Sequence, residues 1–459
     1  MHNRTVFLFP GLGAYSTGVL REAHRNHAPV GETFAEIDAA AAALGVPPVT
    51  DVLFGPREYT VKELLGRQAE LLQLAIFGTS VATHRLLVES GAEPDLLLGH
   101  SFGEMAALVS AGAFTLADGV RLVCARTEAL RPWEGKGAMA AVGANERVVA
   151  HLIGLVEEPE LVLGCANAPR QNVVAGPAGA LSRLETAAEA LGFFFARLNL
   201  PYASHHPSMS QAVDAFMDLM APIRQRPLQA PVYSPIHGRR YTDTDDLKQA
   251  LADCLVLPVR FVDAVRDLHA QGCTTYVEVG ALNALTRCVQ ATVPGVHTFA
   301  PLLTPEDETA NLGAAAEAAR RVDRPTAPAA PAPVIAVPEA ALVAPLAEPP
   351  LPPAVPAEIP QARTGTESVA PSPADRDQVL ERLRLLYAAA LEYPPELLTE
   401  DASLEAELGI DSLKQTSLLA RVIEQFELPG EPGDLRVWEL PSLGRIADLV
   451  LASRQGALR

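Results

Sequence analysis

Leu96-Leu97-Leu98-Gly99-His100-Ser101-Phe102-Gly103-Glu104-Met105-Ala106-Ala107-Leu108 reads as a strand that breaks into a helix through a turn bounded by glycines. The three leucines make an apolar strand, and Met105 to Leu108 starts a helix. Between them, Gly99 to Gly103 fits the G-x-S-x-G pattern of a nucleophile turn. Such a turn crowds the backbone around its serine, and glycine on both sides relieves the crowding. The hydroxyl of Ser101 is then offered at a helix start, where unpaired amides such as that of Phe102 can stabilise an oxyanion.

Outward from this turn the chain keeps alternating strand and helix. Val6 to Phe9 is a short apolar strand ending in Pro10-Gly11-Leu12-Gly13, and Thr275 to Val279 is another, meeting Gly280. The pattern predicts an α/β fold with a mostly parallel sheet. Within it, strands are expected at 137–142, 160–167, 171–176 and 193–198 and helices at 145–155 and 178–190, the β-α-β-β-α-β order of a ferredoxin-like insert over about 137–199.

The 459 residues allow two or three domains, and 49% hydrophobic against 20% charged residues predicts a largely globular chain. A formal net charge of −19 argues against nucleic acid as a partner. No signal peptide, membrane span or metal site is expected, and the five scattered cysteines suit buried thiols in a reducing cytoplasm. A tract over 325–373 holds 14 prolines and 13 alanines in 49 residues, a composition that cannot pack and predicts a semi-extended spacer. At about 3.1 Å per residue it would span well over 100 Å when extended. Residues 374–459 carry 16 acidic and 9 basic side chains, with Leu413, Leu418, Leu419, Val422, Ile423 and Phe426 on one helical face, and predict a small acidic helical bundle. The expected division is therefore 1–322, a linker over 323–373, and 374–459.

A serine needs a base. Among 11 histidines, His205 and His206 stand out in the polar loop Pro201-Tyr202-Ala203-Ser204-His205-His206-Pro207, and either can serve on sequence grounds. No dedicated carboxylate partner is evident, so a backbone carbonyl is an alternative orienter for the imidazole.

These residues resemble a known family. Residues 4–305 are similar to malonyl-CoA:acyl-carrier-protein transacylases and the acyltransferase domains of polyketide synthases. Gly99 to Glu104 matches GHSxGE, Phe9 to Gly13 matches the FPGQG opening, and Gln73 matches a family glutamine. Arg126 stands 25 residues after Ser101, as the family arginine does, and Asn167 to Gly176 and Glu278-Val279-Gly280 match later motifs. The resemblance implies an α/β-hydrolase-like core, Ser101 as nucleophile, His205 as base, an oxyanion hole from the amides of Leu12 and Phe102, and Arg126, Gln73 and Asn167 as substrate-binding residues. Leu12 departs from the usual glutamine, and a backbone donor survives that change. An arginine for a free carboxylate implies a malonyl-type group, since its fork binds carboxylates bidentately. Tyr202 to His205 is the run associated with methylmalonyl, whereas Phe102 is similar to residues in polyunsaturated-fatty-acid and enediyne synthases; malonyl is the expectation.

Leu408-Gly409-Ile410-Asp411-Ser412-Leu413 matches the LGxDS motif of carrier proteins. This implies a four-helix carrier with 4'-phosphopantetheine on Ser412, attached by a separate phosphopantetheinyl transferase, and a helix start suits the phosphodiester charge. The expected activity is transfer of a malonyl-type group from coenzyme A, through a serine ester, to the phosphopantetheine thiol of a carrier, for a downstream ketosynthase or polyketide synthase module. The alternatives are an editing acyl-thioester hydrolase, a transferase moving an unusual acyl unit between carriers, and an inactive docking module in which only Ser412 works.

Overall fold

The computed structural model describes residues 4–304 and 308–320, and beyond these 376–391, 400, 418, 419, 421–423, 425, 426 and 442–454. The chain divides into two compact units, Met1–Pro328 and Ala329–Arg459. The linker tract and Ser412 lie outside the described residues.

Ten strands are described in the first unit: β1 (Arg4–Phe9), β2 (Leu96–Gly99), β3 (Ala138–Val142), β4 (Val162–Ala168), β5 (Gln171–Gly176), β6 (Phe195–Arg197), β7 (Val232–Ser234), β8 (Arg239–Arg240), β9 (Cys273–Glu278) and β10 (His297–Phe299). Six form a sheet in the order β10-β9-β1-β2-β7-β8, parallel except for the β7–β8 pair. The centre of this sheet is covered on both faces, which is why Val6, Phe7, Leu8 and Phe9 form an unbroken apolar run with no exposed surface. Phe7, Phe9 and Leu97 face one core; Val6, Leu8, Leu96 and Leu98 face another.

The helix Ala69–Glu89 lies in the first core. It is long and apolar enough to cross a bilayer, yet 83% of its most apolar window is buried inside the protein. Its apolar character on all sides is what a helix enclosed by neighbours needs. Gly78 lets it close against the helix Ala28–Ala42: a Cβ there would lie 2.7 Å from Phe34 Cε1 and 2.8 Å from Ile37 Cδ1.

The register of β1 and β2 decides where chemistry can occur. Phe9 pairs with Gly99, so Pro10 to Gly13 and His100 to Gly103 leave the sheet side by side at its carboxyl edge. That edge, beside a change in chain direction, is where open α/β sheets bind ligands.

The second sheet has the order β4-β5-β3-β6 and is antiparallel. Its elements run β3, helix Glu146–Val156, β4, β5, helix Ala178–Ala190, β6. The two helices cover one face, packing Val149, Leu152, Leu181 and Leu184 over Ala140, Val142 and Val174. The other face presents Met139, Cys165, Ala168, Val173 and Ala175 to the main sheet. β4 is stitched to Val259 by Ala166 N–H donating to Val259 O at 2.8 Å and Val259 N–H donating to Gly164 O at 2.9 Å. The segment before Val259 is thereby fixed beside the carboxyl edge.

Glu278, fully buried at the end of β9, accepts from Leu285 N–H at 3.1 Å, Thr286 N–H at 2.9 Å and Thr286 Oγ1 at 2.9 Å. It satisfies the open amides at the start of the helix Ala284–Thr292.

In the second unit the helices Arg376–Leu391 and Leu443–Arg454 are described. They enclose a core of Val379, Leu383, Tyr387, Leu418, Leu419, Val422, Phe426, Ile446 and Val450, in which no charged side chain is buried among the described residues.

Candidate active site

Ser101 has φ +54°, in the left-handed region that L-residues avoid. Its two glycines are there for steric reasons. A Cβ on Gly99 would lie 2.4 Å from Glu104 Cα, and one on Gly103 would lie 2.0 Å from Phe9 O. The turn is closed by Gly103 N–H to His100 O at 3.0 Å and Glu104 N–H to Ser101 O at 2.9 Å. Backbone strain confined to such a turn is a mark of a positioned side chain.

Ser101 Oγ lies 2.8 Å from His205 Nε2. His205 is itself at φ +58° and is 3% exposed. Its Nδ1 lies 3.0 Å from Leu257 O, so Nδ1–H donates to that carbonyl and Nε2 is left free to accept. Burial first, then the neighbouring His100 and Arg126, push the imidazole down to about 3, which keeps it neutral. His206 points elsewhere: Nδ1 is 2.8 Å from Ser208 Oγ and Nε2 is 2.7 Å from Glu160 O, bonds that hold the short 3-10 turn Pro207–Met209.

Among the described residues no acceptor takes the amides of Leu12 or Phe102. Phe102 is buried, with the Arg126 guanidinium carbon 5.5 Å from its ring centre. Arg126, on the helix Leu116–Leu130, is 3% exposed and donates from Nη1 to Gln73 Oε1 at 3.0 Å. No carboxylate pairs with it among the described residues. A buried cation held by a neutral amide and an aromatic face has hydrogen-bond capacity left for an anion.

Asn167 reaches the site from β4, with Oδ1 2.7 Å from His100 Nε2. Its oxygen is committed to His100, a bond that fixes a neighbour of Ser101. Gln73 likewise positions Arg126. Two groups have no motif to flag them. Leu257 acts through its carbonyl alone, and the Cys254 thiol lies 3.9 Å from Ser101 Oγ. Burial pushes that thiol up to about 12, so it is no rival nucleophile.

Glu104 is fully buried beneath the turn. Tyr241 Oη donates to its Oε1 at 2.6 Å, while Oε2 has no hydrogen-bond partner among the described residues. Burial pushes the carboxyl up to about 7 from 4.5. The fold thus favours the protonated form, and this contribution to stability is complete below about pH 4.5 and lost as pH rises through about 7. Glu104→Gln keeps the Tyr241 bond and removes the titration. Calorimetric melting from about pH 5 to 8 is expected to decline less in the variant than in the parent.

The chain has recognisable relatives. The acyl transferase domain model matches residues 6–324, and the phosphopantetheine attachment site model matches residues 381–450. A phenolphthiocerol/phthiocerol polyketide synthase polypeptide of Mycobacterium tuberculosis is 30% identical over 296 residues, 64% of this chain. The match covers 19% of that polypeptide, so the chain spans under a fifth of its length. A malonyl-CoA:acyl carrier protein transacylase of Xanthomonas oryzae superposes with a TM-score of 0.62 at 32% identity, covering 68% of this chain and 98% of the other. The acyltransferase domain from the second module of the salinomycin polyketide synthase superposes with a TM-score of 0.62 at 29% identity, covering 70% and 75%.

Proposed function

Since the chain belongs to the acyl transferase domain family over residues 6–324 and carries a phosphopantetheine attachment domain over residues 381–450, it is an acyltransferase with a carrier in the same polypeptide, and we propose that it moves a malonyl-type group from coenzyme A through an ester on Ser101 to a carrier thiol. The observation that carries this reading is the 2.8 Å contact between Ser101 Oγ and His205 Nε2, set beside a buried arginine that has no carboxylate partner among the described residues.

In the proposed cycle the thioester carbonyl enters beside Ser101 with its free carboxylate on Arg126. His205 Nε2 takes the Ser101 proton as Oγ attacks, and the Leu257 carbonyl holds the ring in the tautomer that can accept it. Negative charge developing on the carbonyl oxygen falls to the amides of Leu12 and Phe102; one such donor is typically worth about 3 kcal/mol. His205 then returns the proton to the departing thiolate, and coenzyme A leaves. The same residues run in reverse for the accepting thiol, a ping-pong sequence.

The apolar core of the second unit suits a small carrier bundle, which we read as four-helical, and Ser412 is the attachment residue by its motif. Once attached by a phosphopantetheinyl transferase, the arm supplies the thiol that accepts the acyl group. We read the second sheet of the acyltransferase as a ferredoxin-like insert, the domain limits as 1–322 and 374–459 about a tether, and the setting as cytoplasmic polyketide or related fatty-acid-like synthesis that feeds a ketosynthase. A long tether would raise the carrier's effective concentration without fixing its orientation.

The test is intact-protein mass spectrometry of the phosphopantetheinylated chain after malonyl-, methylmalonyl- or acetyl-CoA, with peptide mapping of each mass gain. Malonyl is expected on Ser101 first and on the arm at Ser412 next, with acetyl slower by at least about tenfold, the order of one lost ion pair. Equal acetyl loading would remove the role given to Arg126, and release of free malonate without charging of the arm would turn the assignment to a hydrolase.

A further inference from the structure

We propose that Gln73 sets the acyl selectivity of the site by being neutral: it holds Arg126 without cancelling its charge, so the guanidinium is satisfied only when an acyl group brings its own carboxylate. This rests on the proposed roles of Ser101 and Arg126.

The Arg126 guanidinium is enclosed. Nη1 donates to Gln73 Oε1 at 3.0 Å, and the Phe102 ring centre is 5.5 Å from the guanidinium carbon. Gln73 and Arg126 are both buried. A guanidinium has five N–H donors, and a single amide oxygen supplies an acceptor but no counter-charge. The acidic residues of the two helices concerned are directed elsewhere. The helix Ala69–Glu89 holds Glu70 and Glu89, and the helix Leu116–Leu130 holds Asp118 and Glu128. Asp118 pairs with Arg121 at 3.0 Å. Glu70 and Glu128 both pair with Arg131, the latter at 3.3 Å. Glu89 stands at the opposite end of its helix from Gln73. Arg131 thus gathers the carboxylates nearest in sequence to Gln73 and Arg126, and an amide occupies the place that a carboxylate of the same size would fill.

A buried cation without a counter-charge is costly. An acyl group ending in a carboxylate removes that cost on binding, through charge-assisted bonds about twice as strong as neutral ones. An acetyl group leaves the cost in place. With glutamate at position 73 the guanidinium would be paired before any substrate arrived. An incoming carboxylate would then meet a neutral pair and a like charge, and a neutral acyl group would leave nothing unsatisfied. Discrimination of this kind comes from what the wrong ligand leaves unpaired, and the pocket need not be tighter. Gln73 is a positioning residue that acts through Arg126.

The test is Gln73→Glu in the full chain, with acylation of Ser101 by malonyl-CoA and acetyl-CoA followed through coenzyme A release and mass spectrometry. In this variant kcat/KM for malonyl is expected to fall by about 100-fold, the order of an ion pair lost and a repulsion gained, while that for acetyl stays within about threefold. Gln73→Leu removes the amide without adding charge. It is expected to keep the malonyl preference within about threefold of the parent's, whatever it does to both rates. Thermal melting with free malonate as the probe needs no chemistry. Malonate should raise the melting midpoint of the parent and of Gln73→Leu and leave that of Gln73→Glu unmoved. Without malonate, Gln73→Glu should melt no lower than the parent, since it gives a buried cation its partner. A Gln73→Glu chain that keeps the parental preference, melts below the parent or is stabilised by malonate as the parent is would overturn the proposal. So would a Gln73→Leu chain that loses the preference as completely. If the parent prefers malonyl and Gln73→Glu does so equally, the role of Gln73 falls alone. A parent that loads acetyl as fast as malonyl removes the role of Arg126 and this proposal together, and a Ser101→Ala chain that still acylates removes the acyl-enzyme reading and this proposal with it.

Discussion

Ser101→Ala is expected to eliminate the acyl-enzyme and to lower kcat/KM for transfer by roughly 10,000-fold or more, as loss of a nucleophile does elsewhere. The hydroxyl is the atom that the turn, the two glycines and His205 converge on, and Cys254 cannot replace it with its thiol protonated. His205→Ala should fall by a similar factor, because an unassisted serine hydroxyl stays protonated at neutral pH. The double variant should be little worse than either single one, since the pair acts as a unit. Stopped-flow release of coenzyme A with mass spectrometry on residue 101 reads all three. A Ser101→Ala chain that still charges a carrier arm at the parental rate would place the nucleophile elsewhere.

Gly103→Ala is expected to be the most damaging single methyl group in the fold. Its Cβ would stand 2.0 Å from Phe9 O, 2.7 Å from Phe9 C and 2.6 Å from Pro10 O. These are backbone atoms of β1 and of the loop that carries Leu12, so no rotamer change makes room. The helix Gly103–Ser110 would have to move off the sheet, at more than about 3 kcal/mol. Urea denaturation checks this, with Gly179→Ala as control. Nothing lies within 4 Å of a Cβ on Gly179, and alanine in the helix Ala178–Ala190 should be neutral or stabilising by up to about 1 kcal/mol. Equal midpoints for the two variants would contradict the steric account.

Both expectations grow from a segment whose meaning is local, and locality separates what the sequence discloses from what it hides. An apolar strand, a glycine-bounded turn and a helix start are specified by neighbours in the chain, so the place of Ser101 is legible before any coordinates. The choice between His205 and His206 is not. Adjacent residues in a polar loop look alike, and the left-handed φ of His205 that aims it at Ser101 comes from the packing of that loop. The Leu257 contact is made by a carbonyl, which every residue has, across 52 positions of sequence. Gln73 and Asn167 belong to motifs, but motifs name residues and not the atoms they touch. Here both hold other side chains, Arg126 and His100, in place. The helix Ala69–Glu89 is hard to foresee as a core element because its apolar character has no single face.

The carbonyl behind His205 has a consequence for chemical selectivity. A neutral dipole compensates an imidazolium less than a carboxylate does, so the ring is a mild base. An incoming thiol, with an ordinary pKa of about 8.5, needs little help to become a nucleophile. Water, a far weaker acid, needs much more. A mild base therefore favours sulfur over oxygen as the second acceptor, and the loaded serine can wait for a tethered arm to arrive while the far more abundant solvent around it stays idle.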